Sequence, residues 1–260
     1  MKLFDISIYK NIIAACITGI KKTLVDRIIN IIIWSSCTML VSSYILTAFG
    51  ITESFGSFQL AGLVASASFF QAYENIINLV IDFSHHRKIN SWLLLPTSSL
   101  TIFAAMVTFY AITGLILGLI LIPLGKILLL GRFSLMSIHW FKFFGILILS
   151  NIFFGCLSLL VAAKTTMATL GNVWHRVIFP IWFLGGFQFS WLALQKAIPG
   201  ASYIFLLNPL LLINEAMRGS ILGPDGYLNY WVCCAIVIAV TFVIFRAAQR
   251  ALKKRLDFVI

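Results

Sequence analysis

Residues 100–122 read LTIFAAMVTFYAITGLILGLILI, and no charged side chain interrupts them. A helix needs about 20 consecutive apolar residues to cross the hydrocarbon core of a bilayer, so this stretch predicts a membrane span. Working outward, similar runs occupy 28–49, which opens IINIIIWSSCTML and closes near Gly50, and 57–81, 140–163, 177–194 and 228–245. The expectation is an all-α integral membrane protein with six transmembrane helices.

The whole chain carries the same signature. Of its 260 residues 61% are hydrophobic and 10% charged, whereas a soluble domain has about 25% charged and about 45–50% apolar residues. Six spans use most of the length and leave no room for a catalytic domain of ordinary size. A single membrane domain over 1–260 is expected, with an interfacial helix at 1–27, a bundle at 28–245 and a basic tail at 246–260.

In residues 4–22, Ile6, Tyr9, Ile13, Cys16, Ile17 and Ile20 fall on one helical face, opposite Ser7, Asn11, Thr18 and Lys22. That amphipathic stretch is too polar to span and reads as a helix lying in the membrane interface. Its charged residues, Lys2, Asp5 and Lys10 among them, also argue against a cleavable signal peptide.

The net charge is +11. In a soluble protein it would suggest nucleic acid; here basic residues flank apolar spans and act as topology signals, so no nucleic-acid partner is expected. With both termini on the inner side, Lys2, Lys10, Lys21, Lys22, Arg27, Arg87, Lys88, Lys164, Arg176, Arg246, Arg250, Lys253, Lys254 and Arg255 lie inside, against Lys126, Arg132, Lys142, Lys196 and Arg218 outside. The excess predicts cytoplasmic termini in a cell inner (plasma) membrane.

The five cysteines are scattered in apolar stretches and suggest neither a disulfide framework nor a metal site. His85 and His86 adjoin no third ligand, so no metal is expected there. The chain lacks a P-loop: Gly125-Lys126 is followed by Ile127 and has no upstream glycine at the required distance. Other catalytic signatures are missing too. His139, His175 and Glu215 could be enlisted for a membrane transferase or hydrolase, but no spacing joins them, and the chain is not expected to be an enzyme.

Three segments carry polar chemistry. In the second span Gln71, Glu74, Asn75 and Asn78 recur at spacings of three and four and so share one helix face. Such groups line a translocation path or act as glue between helices. The stretch SHHRKINSWLLLPTSSL, residues 84–100, holds His85, His86, Arg87, Lys88, Asn90 and Trp92 in a short amphipathic helix ended by Pro96. Ser98 or Ser99 then caps the third span. After it, 123–139 with Pro123 reads as a loop or frayed helix end. In LLNPLLLINEAMRGSILGPDG, residues 206–226, Asn208 caps a helix that begins at Pro209. Glu215 and Arg218 can pair across three residues, and Gly223-Pro224 stops the helix. Being too short to span, it is expected as a re-entrant or surface helix at the outer mouth.

Two of these segments resemble signatures of the permease subunit of type-2 ABC exporters. In the first, a charged run, a Leu-Leu pair and then Pro and Ser correspond to Arg87, Lys88, Leu93, Leu94, Pro96 and Ser98. In the second, Asn-Pro, Glu-Ala and Arg-Gly correspond to Asn208, Pro209, Glu215, Ala216, Arg218 and Gly219. The resemblance covers essentially the whole chain. It implies a homodimeric path for a drug, a lipid or a lipid-linked glycan. It also implies separate ABC ATPase subunits that carry ATP and Mg, so that this chain holds no cofactor, and docking of 84–95 in a groove of the ATPase. The alternative is an ion-coupled secondary transporter or channel using Glu74.

Overall fold

A computed structural model describes residues 4–257. Lys2 and residues 258–260 of the expected tail lie outside it, as do the side chains of Lys22, His86 and Asp257. The described residues are helices, turns and loops with no strand. Four stretches are long and apolar enough to cross a membrane: Thr23–Ala48, Ser99–Arg132, Trp140–Lys164 and Tyr230–Leu256.

Helix α1 (Ile6–Leu40) starts at Asp5, whose carboxylate accepts the N–H groups of Ser7 and Ile8 at 2.9 and 3.2 Å. It runs unbroken into the first expected span and on through a wide π-type turn, Val41–Ile45, to Ala48. The expected division into an interfacial helix and a separate span is therefore corrected. No proline lies between them, and a change of charge alone does not end a helix. The buried face also differs: Ile12 is buried and Tyr9, Ile13 and Cys16 are half-buried, whereas Ile6 and Ile17 are exposed. Tyr9 Oη lies 2.7 Å from Thr108 Oγ1, so the first part of α1 is tied to the bundle.

Helix α2 (Phe55–Ile81) is enclosed by its neighbours and carries one charged residue, Glu74. A short helix, α3 (Lys88–Leu93), precedes α4 (Ser99–Leu129). The third span thus outlasts its expected end at 122 and passes through Pro123. Beyond the proline, Tyr44 donates to the Leu128 carbonyl at 2.8 Å and Lys126 to the Phe133 carbonyl at 2.9 Å. These contacts hold the helix end that proline alone would loosen. Helix α5 (Trp140–Lys164) matches its expected span. Helix α2 packs on α4 and α5, and α1 packs on α4.

The fifth expected span is not one helix. Helix α6 begins at Leu170–Val173, widens through Trp174–Ile178 and continues as Phe179–Phe183 before it breaks at Leu184. Gly186 has φ +71°, and a Cβ on Gly185 would lie 2.5 Å from the Ile181 carbonyl oxygen. Only glycine satisfies both conditions, so the apolar run folds back. Two short helices follow, α7 (Trp191–Ala197) and α8 (Ser202–Phe205). Helix α9 (Pro209–Ile221) then starts beside the break, where Asn208 Nδ2 donates to the Ile181 carbonyl at 2.7 Å. It ends at the far end of the bundle, where Ser137 Oγ donates to the Ile221 carbonyl at 3.1 Å and His139 N to the Ser220 carbonyl at 2.8 Å. The chain thus traverses the bundle in two pieces.

The surface reading of α9 is corrected as well. Its residues from Leu210 to Ile221 are buried, wedged between α2, α5 and the last helix, α10 (Tyr230–Asp257). Helix α10 packs along α5 and continues without interruption into the expected tail. Arg255 donates to the Ala162 and Thr165 carbonyls, and its guanidinium lies 4.4 Å from the centre of the Phe83 ring. One end of the bundle therefore gathers the start of α1, residues 82–98, the end of α5 and the end of α10. The other gathers 49–54, 130–139 and 222–229, where Arg132 pairs with Glu53 at 3.7 Å.

Candidate functional site

The polar face of α2 opens onto two cavities, and Arg27 of α1 lines both. Its Nε lies 3.3 Å from a Glu74 carboxylate oxygen; the Arg27 side chain is 13% exposed and that of Glu74 42%. The first cavity, about 300 Å³, is lined by Gln71 and Glu74 together with Trp34, Phe70 and Trp174. The second, about 490 Å³, holds Asn75 and Asn78 together with Asp82, Lys88 and Trp92. The structure thus brings all four expected path residues to cavity walls and divides them between two compartments.

Hydrogen bonding within this face is incomplete. Gln71 Nε2 donates to Asn75 Oδ1 at 3.0 Å. Gln71 is 4% exposed, yet its Oε1 accepts no hydrogen bond. A buried carbonyl left unpaired costs about 1–3 kcal/mol of desolvation. The walls of the first cavity are aromatic: Trp34 meets Phe70 edge-on at 4.7 Å, and Trp174 lies 5.1 Å from Tyr73.

The expected docking loop forms one compact turn. Arg87 takes a left-handed conformation, φ 50°, between a π-type turn at Asp82–His86 and helix α3. The Asp82 carboxylate accepts the N–H groups of Lys88 at 3.2 Å and Ile89 at 3.1 Å, which fixes the start of α3. Ile89 is buried and anchors the helix. His85, Arg87, Lys88, Leu94 and Pro96 are exposed, and Asn90 and Trp92 half-buried. Lys88 Nζ stands 5.0 Å over the Trp92 ring. Burial pushes the Cys16 thiol in the adjoining cavity up from its ordinary value, against the pull of Lys88.

At the other end Glu215 and Arg218 pair as expected, at 3.7 Å, but with both side chains fully buried. Glu215 accepts the N–H groups of Trp191 and Leu228, each at 3.1 Å. Arg218 donates to the Phe187 and Phe189 carbonyls at 2.9 and 3.1 Å, and its guanidinium lies 3.6 Å from the Phe58 ring centre. Asn214 donates to the Gly185 carbonyl at 2.7 Å. These side chains supply partners for the backbone that the break after α6 leaves open, and that is their role here. Asn208 accepts Leu210 N at 3.1 Å, so the Asn-Pro start forms as read. His139 and His175 are exposed near opposite ends of the bundle, away from the buried Glu215.

Sequence reasoning missed Arg27, Asp82, Trp34 and Trp174. In the sequence Arg27 reads as a topology charge, although its place at the head of an apolar run, with a carboxylate in the next span, is a usable signal. Nothing in the sequence marked the two tryptophans.

No family model, curated protein or solved structure matches this chain.

Proposed function

We propose that the chain is the membrane-spanning permease subunit of an ATP-driven type-2 ABC exporter, working as a homodimer in the inner membrane. ATP binds and is hydrolysed, with Mg, on separate subunits. In this reading α2 and the two-piece passage of α6 and α9 complete six crossings, with both termini cytoplasmic. Helix α9 then takes the re-entrant role, enclosed by protein as backbone at membrane depth must be.

The observation that carries the reading is the shape of residues 82–96. A short helix is held rigidly by Asp82 and Ile89, at the end of the bundle where the start of α1 and the end of α10 also lie. It presents Arg87 and Leu94 outward, while Lys88 reaches back over Trp92. Its inner face lines the cavity that Arg27 borders. A soluble subunit gripping α3 would therefore act directly on the polar interior. Helix α1 leaves Ile29, Ile33 and Leu40 exposed, which suits contact with lipid or with a second copy.

The ion-coupled reading is weaker on a specific ground. A coupling carboxylate needs its cation for neutralisation, and Arg27 already supplies a positive charge to Glu74 at 3.3 Å.

The test is ATP hydrolysis by the candidate ATPase in proteoliposomes with wild-type chain and with Lys88→Ala/Leu94→Ser. Stimulation by wild type, lost in a variant that still inserts, is the expected result. If the wild-type chain neither binds an ATPase nor alters hydrolysis, the permease reading fails.

A further inference from the structure

We infer that a groove between α4 and α10, floored by α5, binds a phospholipid of net negative charge. Its phosphate sits at the basic end of α10 and an acyl chain lies along the groove. The inference needs only a chain that lies in a bilayer, and it is independent of any ATPase.

The charge comes from α10. Arg246, Arg250 and Lys253 recur at spacings of four and three, so they share one helix face, and all three line a cavity of about 600 Å³. They are exposed, and among the described residues none of them forms an ion pair. No carboxylate lines the cavity either. Arg255, on the same helix, differs: its guanidinium is already taken up by the Ala162 and Thr165 carbonyls. The facing wall is the start of α4, Ser98 to Leu100, where the helix dipole adds a partial charge of the same sign. Three cations with no anion among them call for a phosphate, and an ammonium headgroup would find no carboxylate to answer it.

The apolar half adjoins it. Helices α4 and α10 both pack on α5, and between them lies a second cavity of about 430 Å³, lined by Ala104 and Val107 of α4, Ile152 and Cys156 of α5 and Ile238 of α10. Phe242 lines both cavities, and the Arg246 guanidinium lies 5.2 Å from the centre of its ring. The basic and apolar halves therefore meet at one side chain.

The order along α10 is that of a bilayer leaflet. Ile238, Phe242 and Val243 are exposed apolar side chains, and the cations begin at Arg246, about 6 Å beyond Phe242 at about 1.5 Å per residue. Basic pockets between spans at the membrane surface suit anionic headgroups. A soluble anion would use the basic half alone; the adjoining apolar half is what selects a lipid.

The experiment is native mass spectrometry of the purified full chain in detergent, offered equimolar phosphatidylglycerol, phosphatidylethanolamine and phosphatidylcholine with identical acyl chains. Phosphatidylglycerol should be preferred by about tenfold or more. Arg246→Gln and Arg250→Gln should each lower the preference about fivefold, the weight of one basic residue near an anionic lipid. Lys254→Gln removes the same charge from the same helix outside the cavity, and should change the preference by less than about twofold. An equal loss in Lys254→Gln would reduce the site to diffuse tail charge and overturns the inference, as does equal binding of the three lipids by wild type. Ala104→Phe fills the apolar half and should weaken phosphatidylglycerol about tenfold, the worth of roughly two methylenes left outside; unchanged binding overturns the groove. If that variant fails to fold, glycerophosphoglycerol decides. This headgroup without chains should not displace the lipid at equal concentration, and displacement assigns the site to a soluble anion and overturns the lipid. The same spectra give the oligomeric state: a wild-type dimer that Ala104→Phe turns into monomer would assign the groove to a second copy, which also overturns the inference. No ATPase is present, so these outcomes leave the permease reading to its own test.

Discussion

The side-chain amide of Asn214 donates to the main-chain carbonyl of Gly185 at 2.7 Å, so that a buried residue of α9 completes the hydrogen bonding of the broken end of α6. The two half-length helices are held as one passage by such bonds between side chain and backbone. Asn214→Leu should therefore destabilise the chain by about 1–3 kcal/mol, the cost of an unpaired buried carbonyl. Asn214→Asp, which when ionised cannot donate and buries a charge, should be most harmful at high pH and less so as the carboxyl protonates. Unfolding followed by graded SDS addition measures both; a Leu variant as stable as wild type would show that the bond is not required.

The Glu215–Arg218 pair makes a sharper case. Arg218→Met leaves a buried carboxylate and the Phe187 and Phe189 carbonyls without their partner. Removing one member of a buried pair costs about 3–5 kcal/mol. Glu215→Gln/Arg218→Met should recover part of that loss, because the stranded charge goes too. The melting temperatures of the single and double variants in detergent give the comparison, and a double variant no better than the single would contradict it.

The asparagine-proline start of α9 and the pairing of Glu215 with Arg218 were legible because both are local: a cap and a three-residue spacing. Their burial was not. In water a charged pair marks a surface, whereas here Arg218 finds carbonyls that exist only because residues 185–190 fold back. The Gly185-Gly186 step was visible, but the apolar run around it suggested a continuous span. Helix α5 came out almost as read, since His139 and Lys164 bracket an uninterrupted apolar stretch. The join between the start of α1 and its span is not legible, because a shift in charge does not by itself change the backbone. In the candidate site the α2 face followed from helical periodicity. Arg27, Trp34 and Trp174 belong to distant segments, and only packing brings them to it.

Arg87 separates charge from conformation at α3. Its left-handed backbone costs a side-chain-bearing residue about 1–2 kcal/mol, which Arg87→Ala would retain. Arg87→Gly should relieve it while still removing the charge. The glycine variant is thus expected to melt no lower than wild type yet bind the ATPase subunit more weakly, by about 0.2–1 kcal/mol for an exposed charge. Affinity unchanged at low salt would rule the Arg87 charge out of docking.

Cys37 tests the membrane reading directly. It is exposed on α1 within the apolar stretch Thr23–Ala48. In a background with the other four cysteines changed to Ser or Ala, it should resist a membrane-impermeant maleimide in proteoliposomes and react once the bilayer is dissolved. A cysteine at Ser91, exposed on α3, should react in inside-out vesicles without that treatment. Rapid labelling of Cys37 in intact vesicles would mean that this face of α1 meets water.

The continuity of α1 has a mechanical meaning. Asp5 starts a rod that contacts α4 through Tyr9, borders the α3 cavity at Cys16, reaches Glu74 with Arg27 and ends its regular turns at Leu40. If such a rod tilts as one body about Arg27, it acts as a lever. Leu40 lies about 20 Å beyond Arg27 at about 1.5 Å per residue, so a tilt of about 10° there swings it by about 3 Å. A push on the arm beside α3 would thus become a displacement at the opposite end.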